Sequence, residues 1–375
     1  MKWFGRRTRQ ANLRLPVFDE RGGAFAALRN RRILIYWPHG LGDFVHFSYV
    51  VPLLDPSNRY YLTRFGDDFV HLYDEGETVT PMYSGEAAIG DGGAFGARHL
   101  GLDFRRLRNR EEGLVVPEPL LDRIREANID AMLYTDYPEH AGGTRYPYHT
   151  KARSLARDLV SAERLQTFDL SRPLASSLRF DAPAENKQAI EAHLRAFVAP
   201  SEHLYLIAPG GHTNAAKTWN FSHVVELAAA LRARDPLARI LLIDERRSSA
   251  MDVPDAPPTT ADLFGDTQMP FAHILTTIIH AAHAFIGVPS GPLHTALAIG
   301  GRPIAGIWLA HYPDWYDEPC ASAVALVGPE LYRKRLDRRA ASLDRPPSLA
   351  HTIVPFRDRV PNATDVLAAL DALSS

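Results

Sequence analysis

Three glycine-bearing turns hold the residues best placed to do chemistry. The first is Gly40-Leu41-Gly42-Asp43-Phe44-Val45-His46. Its two glycines let the backbone approach a ligand closely, and a helix starting there turns its positive end toward an anion. Asp43 stands at the first helical turn, as a base or simply as a cap. The second turn is Pro209-Gly210-Gly211-His212-Thr213-Asn214-Ala215-Ala216-Lys217-Thr218-Trp219. From Gly211 it nearly spells the phosphate loop G-x-x-x-x-G-K-[ST], with Ala216 at the second glycine. Alanine resists the backbone geometry that glycine permits, so a nucleoside-triphosphatase loop is not expected. Backbone N–H groups with Lys217 can still hold a diphosphate, although Lys217 alone also reads as an exposed cation before a helix. The third turn is Ile286-Gly287-Val288-Pro289-Ser290-Gly291-Pro292-Leu293-His294. Ser290 and Gly291 can donate to a phosphate at a helix start, and Pro292 suits the first helical position. His294 lies one turn further in, as a contact or as a packing residue.

Two other patterns are broken. Val45 stands where the dinucleotide fingerprint needs its third glycine. Val288 stands where the hydrolase elbow G-x-S-x-G needs its first. His280 and His283 have no third ligand in sequence, so no metal is expected. Asp244-Glu245 follows a strand directly and can accept ribose hydroxyls, or form a surface loop. Asp136, His140 and Arg145, with nearby His149, Lys151 and Arg153, form either a polar, partly basic pocket or a structured surface loop.

These residues need elements to hold them. Apolar runs predict strands at 33–37, 59–63, 130–134, 204–208, 240–244, 284–287 and 303–307. Periodic segments predict helices at 44–54, 151–160, 221–234, 271–282, 292–299 and 364–373. Residues 171–185, rich in Ser, Pro and Ala, read as a linker, and the glycine-rich stretch 85–101 reads as loop. Strands alternating with helices predict parallel sheets covered on both faces.

The chain has 375 residues, which at ~100–200 residues per domain predicts about two domains. Apolar residues are 46% and charged residues 23%, so the chain is globular as a whole. A net charge of −2 argues against a nucleic-acid partner. The single Cys320 excludes a disulfide scaffold and points to a reducing cytoplasm. Arg6-Arg7 is followed by no apolar stretch and does not read as an export signal. Residues 1–32 carry a net +7, with Trp3, Phe4, Phe18 and Phe25 interleaved. That segment is either a solvated terminus or a weak peripheral contact with an anionic membrane face.

Together the three turns resemble those of the family-nine glycosyltransferases, the lipopolysaccharide heptosyltransferase family. The matching segments are Gly42 to His46, Pro209-Gly210 through Lys217-Thr218-Trp219, and Ser290 to His294 followed by Ala296 to Pro303. The resemblance implies an α/β protein of GT-B architecture, with two Rossmann-like parallel-sheet domains facing across a cleft. The expected division is a basic segment at 1–32, an acceptor domain at 33–175 and a nucleotide-sugar domain at 176–355. A C-terminal helix at 356–375 would pack back on the first domain. The implied reaction is an inverting, metal-free transfer of heptose or a related sugar. The donor is a nucleoside-diphosphate sugar such as ADP-heptose, and the acceptor is a hydroxyl of a glycan, glycolipid or other molecule. No cofactor beyond that substrate is expected. The implied setting is lipopolysaccharide biosynthesis in the cytoplasm, at the inner face of the membrane.

In this resemblance Asp43 is the general base and Lys217 holds the donor phosphates. Gly210, Gly211, His212, Thr213, Ser290, Gly291 and His294 join Lys217 on the donor side, with Asp244 and Glu245 at the ribose. Gly40, Gly42, His46, Asp136, His140, Arg145 and Lys151 lie on the acceptor side. One position departs from the family. Pro289-Ser290-Gly291 stands where the family has Asp-Thr-Gly, and proline supplies neither a carboxylate nor an N–H. A degenerate nucleotide-sugar binder, a GT-B epimerase and a dehydrogenase are the alternatives.

Overall fold

A computed structural model describes residues 10–13, 16–18, 23–37, 41–64, 79–81, 114–117, 122, 124–134, 150–178, 180–210, 217–250, 255–310, 313, 318–333, 352–356, 358 and 360–374. The expected loop at 85–101 and the residues Gly40, Asp136, His140, Arg145, Gly211, His212 and Thr213 lie outside them.

Ile33, Leu34 and Ile35 are apolar at consecutive positions, so a strand built from them has no wet face. Each is fully buried in β3 (Arg32–Trp37), as in a parallel sheet covered on both sides. Beside β3 run β4 (Arg59–Arg64) and β5 (Val79–Pro81) on one flank. On the other are β7 (Ala131–Tyr134) and the edge strand β2 (Val17–Phe18). All four pairings are parallel. A separate antiparallel pair joins β1 (Gln10–Leu13) to β6 (Leu114–Pro117). The described part of the basic segment 1–32 joins the first half. Val17–Phe18 is part of the first sheet and Phe25 is buried in its core.

The second sheet contains β8 (His203–Ala208), β9 (Ala238–Leu242), β10 (Ala284–Gly287), β11 (Ile304–Trp308), β12 (Ala323–Val327) and β13 (Thr352–Pro355). Its order is β13-β12-β11-β10-β8-β9, all parallel. The chain leaves β8 for β9 on one side and returns to β10 on the other. In the first sheet it likewise passes from β3 to β4 and β5, then back to β7. Each sheet thus has a switch point where a crevice opens beyond the carboxyl ends of its strands. Asp43 follows β3, Gly210 follows β8 and Ser290-Gly291 follow β10, so the three predicted turns lie at those two points.

The helix predicted at 44–54 is shorter and starts earlier. It is α1 (Leu41–Ser48), followed by a 3-10 turn at Val51–Leu53. Pro52 explains the break, because it has no N–H to continue the ladder. Two helices follow β7, α2 (Lys151–Leu159) and α3 (Ala162–Leu165). A helix the sequence pattern did not reveal, α4 (Ala184–Phe197), buries only Ile190 and Leu194. The second half continues with α5 (Phe221–Arg234), capped by the Asn220 side chain, and the short α6 (Thr260–Phe264). Next are α7 (Phe271–Ala281), α8 (Gly291–Ile299) and α9 (Ala363–Ser374). The resemblance let α9 pack back on the first half. Its apolar face is instead spent on the second sheet: Val366, Ala369 and Leu370 are buried with Leu227, Leu231 and Val324, and Arg234 pairs with Asp371. Among the described residues no helix is long and apolar enough to cross a membrane.

Candidate active site

The two switch points meet through the first turns of α1 and α8. Gly42 has no side chain because the His294 ring lies where one would be: a Cβ there would stand 2.5 Å from His294 Cδ2. Gly291 is the reciprocal case, since its Cβ would stand 2.8 Å from Leu41. The rings of His46 and His294 pack at 4.6 Å between centroids, tilted 59°. Both residues are buried, at 1% and 5% exposure, and pack the two helices together. One apolar cluster runs continuously from Phe44 and Phe47 of α1 to Leu293 and Leu297 of α8. Gly42→Ala is expected to cost about 1–3 kcal/mol by overpacking this contact. Urea denaturation would show the loss, and an unchanged midpoint would mean the helices part without cost.

Asp43, next to Gly42 and about a third exposed, pairs with Lys151: Lys151 Nζ donates to Asp43 Oδ1 at 2.9 Å. Lys151 opens α2, whose N-cap Thr150 accepts the Arg153 N–H at 3.4 Å. The residue expected beside it in a basic pocket, Arg153, serves another purpose. It is 7% exposed and donates through Nε and Nη2 to Glu318, which is 4% exposed. Nη1 and Nη2 also donate to the carbonyls of Leu170 and Arg172, both at 2.6 Å. Glu318 also accepts from Thr150 Oγ1 at 2.5 Å and from the Leu174 amide at 2.9 Å. A buried charge needs a full set of partners. Here that set joins α2, the linker and the segment after β11.

After β8, the two described ends of the second turn are bonded to each other. The Trp219 N–H donates to the Pro209 carbonyl at 2.7 Å, and a Cβ on Gly210 would touch Thr218 at 3.2 Å. Trp219, 1% exposed, anchors the turn in the second core and donates its indole N–H to the Pro361 carbonyl at 3.2 Å. Lys217 emerges just before this anchor, half-buried. After β10, Ser290 caps α8 by position, yet its hydroxyl donates to the Val288 carbonyl at 3.0 Å. Pro289 is buried.

Asp244 sits beyond β9, but its carboxylate is forked by Arg246, at 3.0 Å to Oδ1 and 2.8 Å to Oδ2. Glu245 is exposed beside it. The loop is stapled to α6 by a capping box: Thr259 and Asp262 bond reciprocally, and Asp262 also accepts the Ser248 amide. Burial pushes the Asp262 carboxyl up, but the bonds from Thr259 and Ser248 outweigh it and hold it below the ordinary carboxylate value. Its contribution is therefore present above the unfolded carboxylate pKa and lost as pH falls through the folded one. Asp262→Ala should cost about 1–2 kcal/mol at neutral pH, shrinking below about pH 4. Melting curves from pH 3 to 7 would check this, and a pH-independent difference would refute it.

A cavity of about 300 Å³ lies beside Glu318, lined by Tyr49, Ser176, Leu297 and Cys320 among others, and none of the predicted site residues borders it. Among the described residues no group of three or more His, Cys, Asp or Glu is placed to hold a metal ion. The sequence reading missed Glu318 altogether and gave Lys151 no partner.

A profile of glycosyltransferase family 9 (heptosyltransferase) matches residues 150–339, just over half of the chain. The structure is similar to that of a family 9 glycosyl transferase from Veillonella parvula DSM 2008, with TM-score 0.55 and 13% identity, over 92% of this chain and 97% of that one. It is also similar to E. coli ADP-heptose lps heptosyltransferase II, with TM-score 0.50 and 17% identity, over 91% and 98%. The E. coli heptosyltransferase WaaC with ADP gives TM-score 0.50 and 11% identity, over 91% and 99%. No curated protein sequence matches the chain. At these identities the likeness concerns the fold, which is GT-B with two Rossmann-like halves.

Proposed function

Because the chain belongs to glycosyltransferase family 9, the heptosyltransferase family, we propose that it moves heptose or a related sugar from a nucleoside-diphosphate donor to an acceptor hydroxyl. The donor sits on the second half, and the acceptor, a glycan or glycolipid, on the first. The observation that carries this reading is the direct contact of two helix starts from opposite halves, Gly42 under His294 and Gly291 under Leu41. It brings a carboxylate on one half beside an anion-favouring helix start on the other.

The transfer is a single in-line displacement. The acceptor oxygen attacks the anomeric carbon and its proton goes to the Asp43 carboxylate. The bond from that carbon to the phosphate oxygen breaks, and its electron pair leaves with the nucleoside diphosphate. Attack opposite the leaving group inverts the anomeric centre. Lys217, the Gly210 backbone and the start of α8 at Ser290-Gly291 stabilise the growing negative charge, most effectively once water is excluded. Asp244 and Glu245 face the ribose. The fork from Arg246 leaves the Asp244 carboxylate fixed in orientation for that role. Buried Pro289 removes the family carboxylate from this side, so the sugar contact must come from elsewhere. ADP-heptose is the first donor to try, as the donor named for E. coli heptosyltransferase II. The setting that fits is the cytoplasmic face of a membrane carrying the acceptor, approached through the basic N-terminal residues.

Calorimetry with ADP, GDP and UDP tests the donor half. One of them should bind, and Lys217→Ala should weaken it about 10–100-fold, the worth of one charged hydrogen bond at about 1.5–3 kcal/mol. Equal affinity in the variant would take Lys217 out of the donor site.

A further inference from the structure

We propose that Lys151 is the positioning residue of the base, holding the Asp43 carboxylate in register for the acceptor hydroxyl; this rests on the reading of Asp43 as general base. Three observations converge on it. The first is the pair itself, 2.9 Å long with the ammonium side chain only 13% exposed. The second is a local conflict. Lys151 is a cation in the first turn of a helix that has no acidic residue there, at the end where the macrodipole disfavours positive charge. Asp43, in the first turn of α1, supplies the missing counter-charge from a different element. Breaking a local rule in this way is expected at functional or strained sites.

The third observation is how Lys151 is held. Its neighbour Thr150 caps α2 and donates to Glu318, a residue of the second half. The placement of the ammonium therefore depends on the two halves being docked. The bond from Lys151 holds Oδ1 in place, and a 1 Å or 20° error in such a group is enough to slow transfer. The sequence alone put Lys151 among acceptor contacts; the geometry assigns it to the base.

The test uses the full chain with ADP-heptose and a deacylated lipopolysaccharide core oligosaccharide, reading ADP release. Lys151→Met should lower kcat about 10–100-fold, with ADP affinity and acceptor KM near those of the natural chain. Lys151→Arg should restore most of the rate. In an Asp43→Asn background, Lys151→Met should cost nothing further. A risen acceptor KM with unchanged kcat would make Lys151 an acceptor contact and overturn the proposal. So would an undiminished loss in the Asp43→Asn background. An Asp43→Asn chain as fast as the natural one would instead remove the base reading itself. The pair is also read without substrate: melting-temperature shifts of the two single variants should be non-additive in the double variant. Additive shifts would overturn the pairing.

Discussion

An Asp43→Asn chain is expected to transfer sugar about 10²–10⁴ times more slowly than the natural one, with its nucleoside-diphosphate affinity unchanged. Asparagine keeps the shape of the side chain and can still meet Lys151, but it cannot take a proton at neutral pH. The groups proposed to hold the donor, Gly210, Lys217 and Ser290-Gly291, follow strands of the other sheet and do not depend on that proton. Rate and affinity should therefore separate cleanly. Steady-state transfer with calorimetry on the same preparation would show it. A variant that has lost nucleotide affinity instead would place Asp43 on the donor side.

Glu318→Ala should destabilise the chain by about 3–5 kcal/mol, because it leaves the Arg153 guanidinium buried and without its counter-charge. Arg153 is 7% exposed and Glu318 4%, so each depends on the other for its counter-charge. The loss should reach beyond the pair, since Thr150 and the Leu174 amide also lose an acceptor. Arg153→Met should cost a similar amount. The double variant, Arg153→Met with Glu318→Ala, should be less damaged than the sum, because no charge is then stranded. Chemical denaturation of the four chains tests this. A Glu318→Ala cost under about 1 kcal/mol would mean that the bridge is solvated and does not tie the halves.

The strands around the site were legible because parallel strands buried on both faces read as unbroken apolar runs: Ile33-Leu34-Ile35 and Leu204 to Ala208 are of this kind. Ala323–Val327 carried the same signal in a region where no motif drew attention to it. Other elements had little to show. Val17–Phe18 is two residues long, Thr352–Pro355 is a half-exposed edge strand, and α4 buries two side chains. Pro52 is a readable stop for α1, inside the 44–54 span that the apolar pattern predicts as helix. The turns of the site were legible from glycine, proline and charge, since backbone geometry forces those residue types. Their mutual contacts were not. The pairing of Asp43 with Lys151 spans 108 residues, and that of Arg153 with Glu318 spans 165. A pair so distant in sequence has no periodic signature in a single chain. His294 lies where a side chain at position 42 would be, which is why a glycine faces it.

The most direct measurement follows both products of a nucleoside-diphosphate sugar, beginning with ADP-heptose, incubated with and without a lipopolysaccharide core acceptor. The account predicts nucleoside diphosphate released in step with sugar appearing on the acceptor in the opposite anomeric configuration, and only slow release without acceptor. A sugar altered while still attached to its nucleotide would contradict it, and so would a donor bound tightly yet never released as diphosphate with any acceptor.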